Sequence, residues 1–160
     1  MEIIEYSKEY EEDFKNLLKE LQEYIISLDP YHFNVIDEDY KDKIYEKEIN
    51  DVNNNNGKIY LAKESNKIIG AIVGIIEPEK HEFDYNKPCN TGNVLELIVS
   101  NKIRSRGVGH KLLKTMEDYF ESMDCYNINI DVFGYNLIGR NFYKKNEYHE
   151  RMLTVSKKIK

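Results

Sequence analysis

With 160 residues, 41% hydrophobic and 32% charged, the chain has the length and balance of one globular domain able to bury a core. Its net charge of −6 argues against nucleic acid as a partner, since neutralising phosphates drives that binding, and no apolar run nears the ~18 residues of a membrane span. Cys89 and Cys125 have no CxxC spacing, which argues against a disulfide scaffold or a zinc site, and the acidic start MEIIEYSKEYEED lacks a signal-peptide shape; the expectation is a cytoplasmic protein without a metal.

The elements follow from periodicity. Residues 2–6 (EIIEY) read as a short strand. Ser7 can cap a helix whose first turn holds Glu9, Glu11, Glu12 and Asp13, and apolar side chains recur at helical spacing from Tyr10 to Leu28. That predicts a helix over 8–27, stopped by Asp29-Pro30. A more polar helix follows over 37–52, with Tyr40, Ile44, Tyr45 and Ile49 inward. KIYLAK (58–63) alternates as a strand, ESNK (64–67) is a hairpin turn, and IIGAIVGII (68–76) is apolar on both faces, as a central strand must be. Residues 77–91 form a loop, and 93–99 a strand. A helix over 108–122 buries Val108, Leu112, Leu113, Met116, Tyr119, Phe120 and Met123. A strand over 126–132, a short helix over 136–146 and a last strand over 148–158 with Met152 and Val155 complete the order β-α-α-β-β-β-α-β-α-β. Charge is uneven along this order. Residues 1–55 hold 16 acidic and 6 basic side chains, while the remainder holds 13 and 17. Either two ligands of opposite sign meet in one cleft, or the first helices are simply well solvated.

At the junction of the 93–99 strand with the next helix stands RSRGVGHKLLK. A helix N-terminus carries unpaired N–H groups and a partial positive charge. Gly107 and Gly109 let a ligand approach that backbone, while Arg104, Arg106 and Lys111 add charge. A phosphate-bearing cofactor is expected there. The string has no G-K-[ST] and no complete G-x-G-x-x-G, so neither a Walker A motif nor a dinucleotide fingerprint is present.

Leu97-Ile98-Val99 followed by Arg104-Ser105-Arg106-Gly107-Val108-Gly109 resembles the pyrophosphate-binding motif Q/R-x-x-G-x-G/A of the GNAT superfamily of N-acetyltransferases. About 30 residues on, NLIGRNFYKKNEY (136–148) resembles that superfamily's second signature, an Asn opening a short helix that contains Phe-Tyr. Two departures stand out: Glu147-Tyr148 where Gly-Phe is usual, and Gly139 where Ala is common. Asn146 is expected to supply the left-handed conformation that the missing glycine would have taken.

The resemblance implies an α/β fold with a mixed, mostly antiparallel sheet flanked by helices, acting as one domain over 1–160. It implies acetyl-CoA as cofactor, with coenzyme A as product. The diphosphate would lie on the backbone of Arg104, Ser105, Arg106, Gly107, Val108, Gly109 and His110. The pantetheine arm would lie along Leu97, Ile98 and Val99, with Asn136 hydrogen-bonding it, and the N–H near Val99 would meet a developing oxyanion. Tyr143 takes the position of the acid that protonates the departing thiolate. The reaction implied is direct acetyl transfer to an amine.

Such an amine must lose a proton before it attacks. Glu96 is the candidate base, because Leu95 and Leu97 should point to the face opposite it and half-burial raises a carboxyl pKa; a water relay is the alternative. Tyr143 and Glu96 also admit plain structural readings, as a buried aromatic and a solvated strand carboxylate. His32, His81 and His149 read as surface residues, Cys125 as a small buried apolar group, and no cysteine has an activating partner. Leu28-Asp29-Pro30-Tyr31-His32-Phe33, followed by Asp37-Glu38-Asp39, joins aromatic walls to carboxylates, so Tyr31, His32 and Phe33 are the candidate acceptor-binding residues. A small cationic amine or lysine-like side chain suits them, as a small molecule or a peptide. A homodimer through the last strands is compatible with this reading. Two alternatives remain: a non-catalytic acyl-CoA-binding sensor of the same fold, and an α/β nucleotide-binding domain.

Overall fold

The computed structural model describes residues 1–33, 36–78, 90–103 and 107–159. Five strands form one sheet in the order β1-β2-β3-β4-β5, from β1 (Glu2–Glu5), β2 (Lys58–Glu64), β3 (Lys67–Pro78), β4 (Asn90–Val99) and β5 (Cys125–Ile130). The first four pair antiparallel, and β5 joins β4 in parallel. The described helices are α1 (Glu11–Leu28), α2 (Tyr40–Asn54), α3 (Val108–Ser122) and α4 (Leu137–Lys145).

β3 shows why the sheet is a central layer. Ile69, Ile72 and Ile76 pack with Val94, Leu112, Met116 and Phe120 under α3, while Ala71 and Val73 pack with Phe14, Leu17, Leu18, Ile59 and Leu61 under α1. A strand covered on both faces needs the continuous apolar run seen in its sequence. Ser65 and Asn66 turn β2 into β3 with φ of 50° and 60°, the positive pair that a two-residue hairpin requires.

Several boundaries differ from expectation. Ser7 donates its hydroxyl to the Glu9 carboxylate and caps no backbone N–H, so residues 8–10 form a 3-10 turn and α1 begins at Glu11. The second helix starts at Tyr40 and runs to Asn54. β4 begins three residues earlier than expected, since Asn90 to Asn93 pair with both β3 and β5. Of the expected 77–91 loop, residues 79–89, with His81 and Cys89, lie outside the described residues.

The expected last strand over 148–158 is not formed. Met152, Leu153 and Val155 stand 92%, 77% and 91% exposed, and no described strand pairs with the outer edge of β5. Strand propensity is realised through cross-strand packing and burial, and this segment has neither. It is tied instead by the ion pair of Arg140 with Glu150 and by the Tyr31 hydroxyl, which donates to the Ser156 carbonyl at 3.3 Å.

Candidate active site

The site begins with a bulge. Glu96 stands opposite Val73, but the next pair is Val94 with Gly74, so Leu95 is an extra residue in β4. Two consequences follow. Leu95 packs with the core under α1, on the same face as Glu96 and its partner Val73, which corrects the expectation that both leucine neighbours point away from Glu96; only Leu97 does. The second consequence is a split in the sheet. The last β4–β5 pair is Val94 with Ile130, so β5 offers no partner to Leu95–Val99. Leu97, Ile98 and Val99 thus lie beside an opening.

α3 starts at the far end of that opening. Gly107 occupies its N-cap with φ of 76° and nothing near the position a Cβ would take. Only glycine adopts this left-handed conformation freely. The first intrahelical bond is donated by Lys111 to the Gly107 carbonyl at 3.1 Å, which leaves the amides of Val108, Gly109 and His110 without an acceptor among the described residues, at the helix's positive end. Arg104, Ser105 and Arg106, expected in the same loop, lie outside the described residues.

α4 closes over this junction. A Cβ on Gly109 would sit 3.4 Å from the Phe142 ring and 3.6 Å from Val99, so the end of β4, the start of α3 and the middle of α4 meet at one place. The His110 ring is held there by its Nδ1 contact with Asn146 Oδ1 at 2.6 Å. Asn136 caps α4: its Oδ1 accepts from the Gly139 amide at 2.9 Å.

Tyr143 follows Phe142, its ring edge-on to Phe142 at 5.2 Å and to Tyr148 at 5.9 Å. Burial lifts its phenol well above the usual value and the Glu96 charge lifts it further, so it stays a proton donor. Glu96 keeps a partly exposed surface, yet burial raises its carboxyl to about 8, with the Glu48 charge adding and Lys47 opposing. The Glu96 charge also acts on Tyr40, at the start of α2. The Glu96 charge thus acts on both Tyr143 and Tyr40 from the splayed end of β4.

The acceptor candidates are built separately. The buried Asp29 carboxylate accepts from the Tyr31 amide at 2.9 Å and the Phe33 amide at 3.2 Å, folding a turn in which His32 takes φ of 52°. Tyr31 and Phe33 stack with centroids 5.1 Å apart, and Phe33 is 64% exposed. The side-chain hydrogen bond that leaves this turn runs from Tyr31 to Ser156 and so joins it to the C-terminal segment. Of the carboxylates beyond it, Asp37 is paired with Lys43 at 2.6 Å.

Sequence reasoning missed Glu48. Its side chain is 1% exposed, Oε1 accepts from Lys47 Nζ at 3.0 Å, and Oε2 has no hydrogen-bond partner among the described residues. The signal was available, for Glu48 stands four residues after Ile44 and four before Val52, a charge on the inner stripe of α2.

A mixed sheet that splits beside a glycine-capped helix N-terminus, with the Glu96 carboxyl on β4 and the Tyr143 phenol on α4, characterises this α/β domain. The chain belongs to the acetyltransferase (GNAT) family, whose sequence model matches residues 11–148. It is 30% identical over 95 residues to an uncharacterized N-acetyltransferase of Methanocaldococcus jannaschii, a stretch covering 59% of this chain and 54% of that protein, so the chain matches about half the length of this relative. Among solved structures it resembles a mutant of a Bacillus halodurans protein (TM-score 0.86, 15% identity, 99% of each chain). It also resembles an aminoglycoside N-acetyltransferase in complex with CoA (TM-score 0.72, 15% identity, 98% of this chain and 93% of that one). A third is an aminoglycoside 6'-N-acetyltransferase from Acinetobacter haemolyticus (TM-score 0.71, 17% identity, all of both chains). At these identities the solved structures establish the fold.

Proposed function

We propose that the protein transfers an acetyl group from acetyl-CoA to the amine of a small cationic or lysine-like acceptor. The observation that carries this reading is the split between β4 and β5 after Val94, which sets Glu96 and Tyr143 beside a strand edge that leads to the glycine-capped start of α3. The residues present fit acetyl-CoA. The amides of Val108, Gly109 and His110 suit its diphosphate, the edge of Leu97–Val99 suits the amides of its pantetheine arm, and the open space at Gly107 admits a close approach. Arg104, Ser105 and Arg106 belong to the same proposed cradle. Acetyl-CoA supplies the activated acetyl group as a thioester.

The chain's own residues handle the protons. Glu96, with a carboxyl pKa of about 8, takes a proton from the incoming ammonium and leaves a neutral amine. Tyr143 holds its proton until a thiolate departs and then gives it up. Tyr31, His32 and Phe33 form an aromatic turn beside the acidic run 37–39, which favours a cationic acceptor by charge and by cation–π contact. Neighbours of the same fold include aminoglycoside and glucosamine-6-phosphate N-acetyltransferases, which supports a small amine over a protein acceptor.

The test is release of the coenzyme A thiol from acetyl-CoA across polyamines, aminoglycosides, neutral and acidic amino acids, and lysine peptides. Release with cationic amines is the expected result. Release confined to acidic amines overturns the acceptor assignment. Tight acetyl-CoA binding with no release from any amine overturns the enzyme reading in favour of a sensor.

A further inference from the structure

We propose that Tyr24 is a positioning residue for the cofactor, reaching from α1 across the split in the sheet to orient the side-chain amide of Asn136. The inference rests on the proposed contact between Asn136 and the pantetheine arm.

The geometry begins where the sheet opens. β4 and β5 share their last pair at Val94 and Ile130, so beyond it the ladder no longer holds one wall of the opening against the other. α1 lies on one face of β4, with Leu17, Leu18 and Leu21 in the core layer that also holds Leu95 and Ile98. Two polar side chains of this helix reach the two walls. The Glu20 carboxylate accepts from the Asn101 amide at 2.6 Å, just after the chain leaves β4. The Tyr24 hydroxyl donates to Oδ1 of Asn136 at 3.3 Å, where the chain that left β5 enters α4. Residues four apart on a helix share a face, so one face of α1 ties both walls.

The bond to Asn136 does more than join two helices. An amide oxygen has two lone pairs, and Oδ1 accepts from two donors, the Gly139 N–H at 2.9 Å and the Tyr24 hydroxyl. The Gly139 bond fixes the oxygen at the start of α4. The second bond arrives from a different helix and fixes the plane of the amide, and with it the direction in which Nδ2 donates. Nδ2 itself has no acceptor among the described residues. A donor oriented before its ligand arrives loses less freedom on binding, so the hydroxyl strengthens binding without touching the cofactor. Tyr24 is half-buried, and a phenylalanine would fill the same space, so this role uses the hydroxyl alone.

Nitrogen-15 NMR of asparagine-labelled protein tests the orientation without any ligand. In Tyr24→Phe the Asn136 side-chain amide should shift and gain motion, while the melting temperature stays close to that of the unsubstituted protein. An Asn136 amide with unchanged shifts and order overturns the proposal. Calorimetric titration should show coenzyme A binding weakened roughly threefold to tenfold in Tyr24→Phe, the worth of one hydrogen bond. KM for acetyl-CoA should rise with kcat little changed. In an Asn136→Asp background, which lacks Nδ2, Tyr24→Phe should weaken binding no further. An equal loss in both backgrounds overturns the orienting role, because Tyr24 would then act other than through the amide. Full coenzyme A affinity in Tyr24→Phe beside a weakened Asn136→Asp also overturns it, and leaves the Asn136 contact standing. Full affinity in Asn136→Asp overturns that contact and with it the role of Tyr24, even where the NMR shows the hydroxyl holding the amide.

Discussion

The Tyr24 hydroxyl donates to Oδ1 of Asn136 at 3.3 Å, joining α1 to the first turn of α4 across 112 positions. The same oxygen accepts from the Gly139 amide. Both of these bonds use Oδ1, while the proposed pantetheine contact can use the Nδ2 donor. Gly139 has a reason to lack a side chain, because a Cβ there would come within 2.6 Å of Asn136 Nδ2.

These two roles of Asn136 can be separated. Asn136→Asp keeps an oxygen acceptor at the helix N-cap, where negative charge is favourable, and removes the amide donor. Thermal stability should change little while coenzyme A affinity falls severalfold. Asn136→Ala should lose the cap as well, at about 1 kcal/mol. Calorimetric titration with coenzyme A beside a melting curve checks both. Equal coenzyme A affinity in Asn136→Asp would reduce Asn136 to a cap.

Backbone strain gives a second prediction. The left-handed residue after α4 is Glu147, with φ of 67°, not Asn146 at φ of −100° as expected. Asn146 is occupied otherwise, its Nδ2 donating to the Phe142 carbonyl at 2.8 Å and its Oδ1 meeting His110. Glu147→Gly should therefore stabilise the protein by about 0.5–1 kcal/mol, since a non-glycine residue pays for this conformation. Gly107→Ala, at φ of 76°, should destabilise by about 1 kcal/mol although its Cβ meets nothing. Denaturant midpoints decide. A destabilising Glu147→Gly would mean that this side chain makes a compensating contact.

How far the sequence reaches can be judged from particular elements. α3 spans the expected 108–122, because Gly107 punctuates its start and Val108, Leu112, Leu113, Met116 and Phe120 hold a clean helical period. Met123, expected inward, lies past its end and stands 38% exposed, and Tyr119 is only half-buried. β3 was legible because a short run apolar on both faces, bounded by a turn, suits a strand sandwiched between two layers. The last strand misled because its propensity is local, whereas a strand exists only where another edge receives it. The bulge at Leu95 was invisible, since an extra residue in a ladder is a property of two strands together. Glu48 was readable as a charge on an apolar stripe, but its orphaned oxygen depends on the packing of α2 against the sheet. The motif around Gly107 pointed to the proposed site, and the split of β4 from β5, which no motif encodes, leaves an unpaired strand edge at Leu95–Val99.

Stability should report Glu96 through pH. Its native carboxyl titrates at about 8, against about 4.3 for an unfolded chain, so the native state binds the extra proton between those values. The stabilisation this brings is complete below the unfolded value, is lost progressively as pH rises through the window, and levels off above about 8. Glu96→Gln removes this slope. Urea midpoints for the two proteins should therefore diverge from pH 5 to pH 8 in favour of the variant. Parallel curves would show that Glu96 titrates normally in the fold.

Tyr143 is the last group to separate from its packing. Its ring sits between Phe142 and Tyr148, and Tyr148 is itself fixed by donating to Glu117 Oε1 at 2.9 Å. Tyr143→Phe preserves those ring contacts and deletes only the hydroxyl. The melting temperature should stay close to that of the unsubstituted protein. If the phenol protonates the departing thiolate, kcat for amine acetylation should fall on the order of a hundredfold, with KM for acetyl-CoA little changed. A rise in KM at constant kcat would place the hydroxyl in cofactor binding. Unchanged kinetics would return Tyr143 to the core.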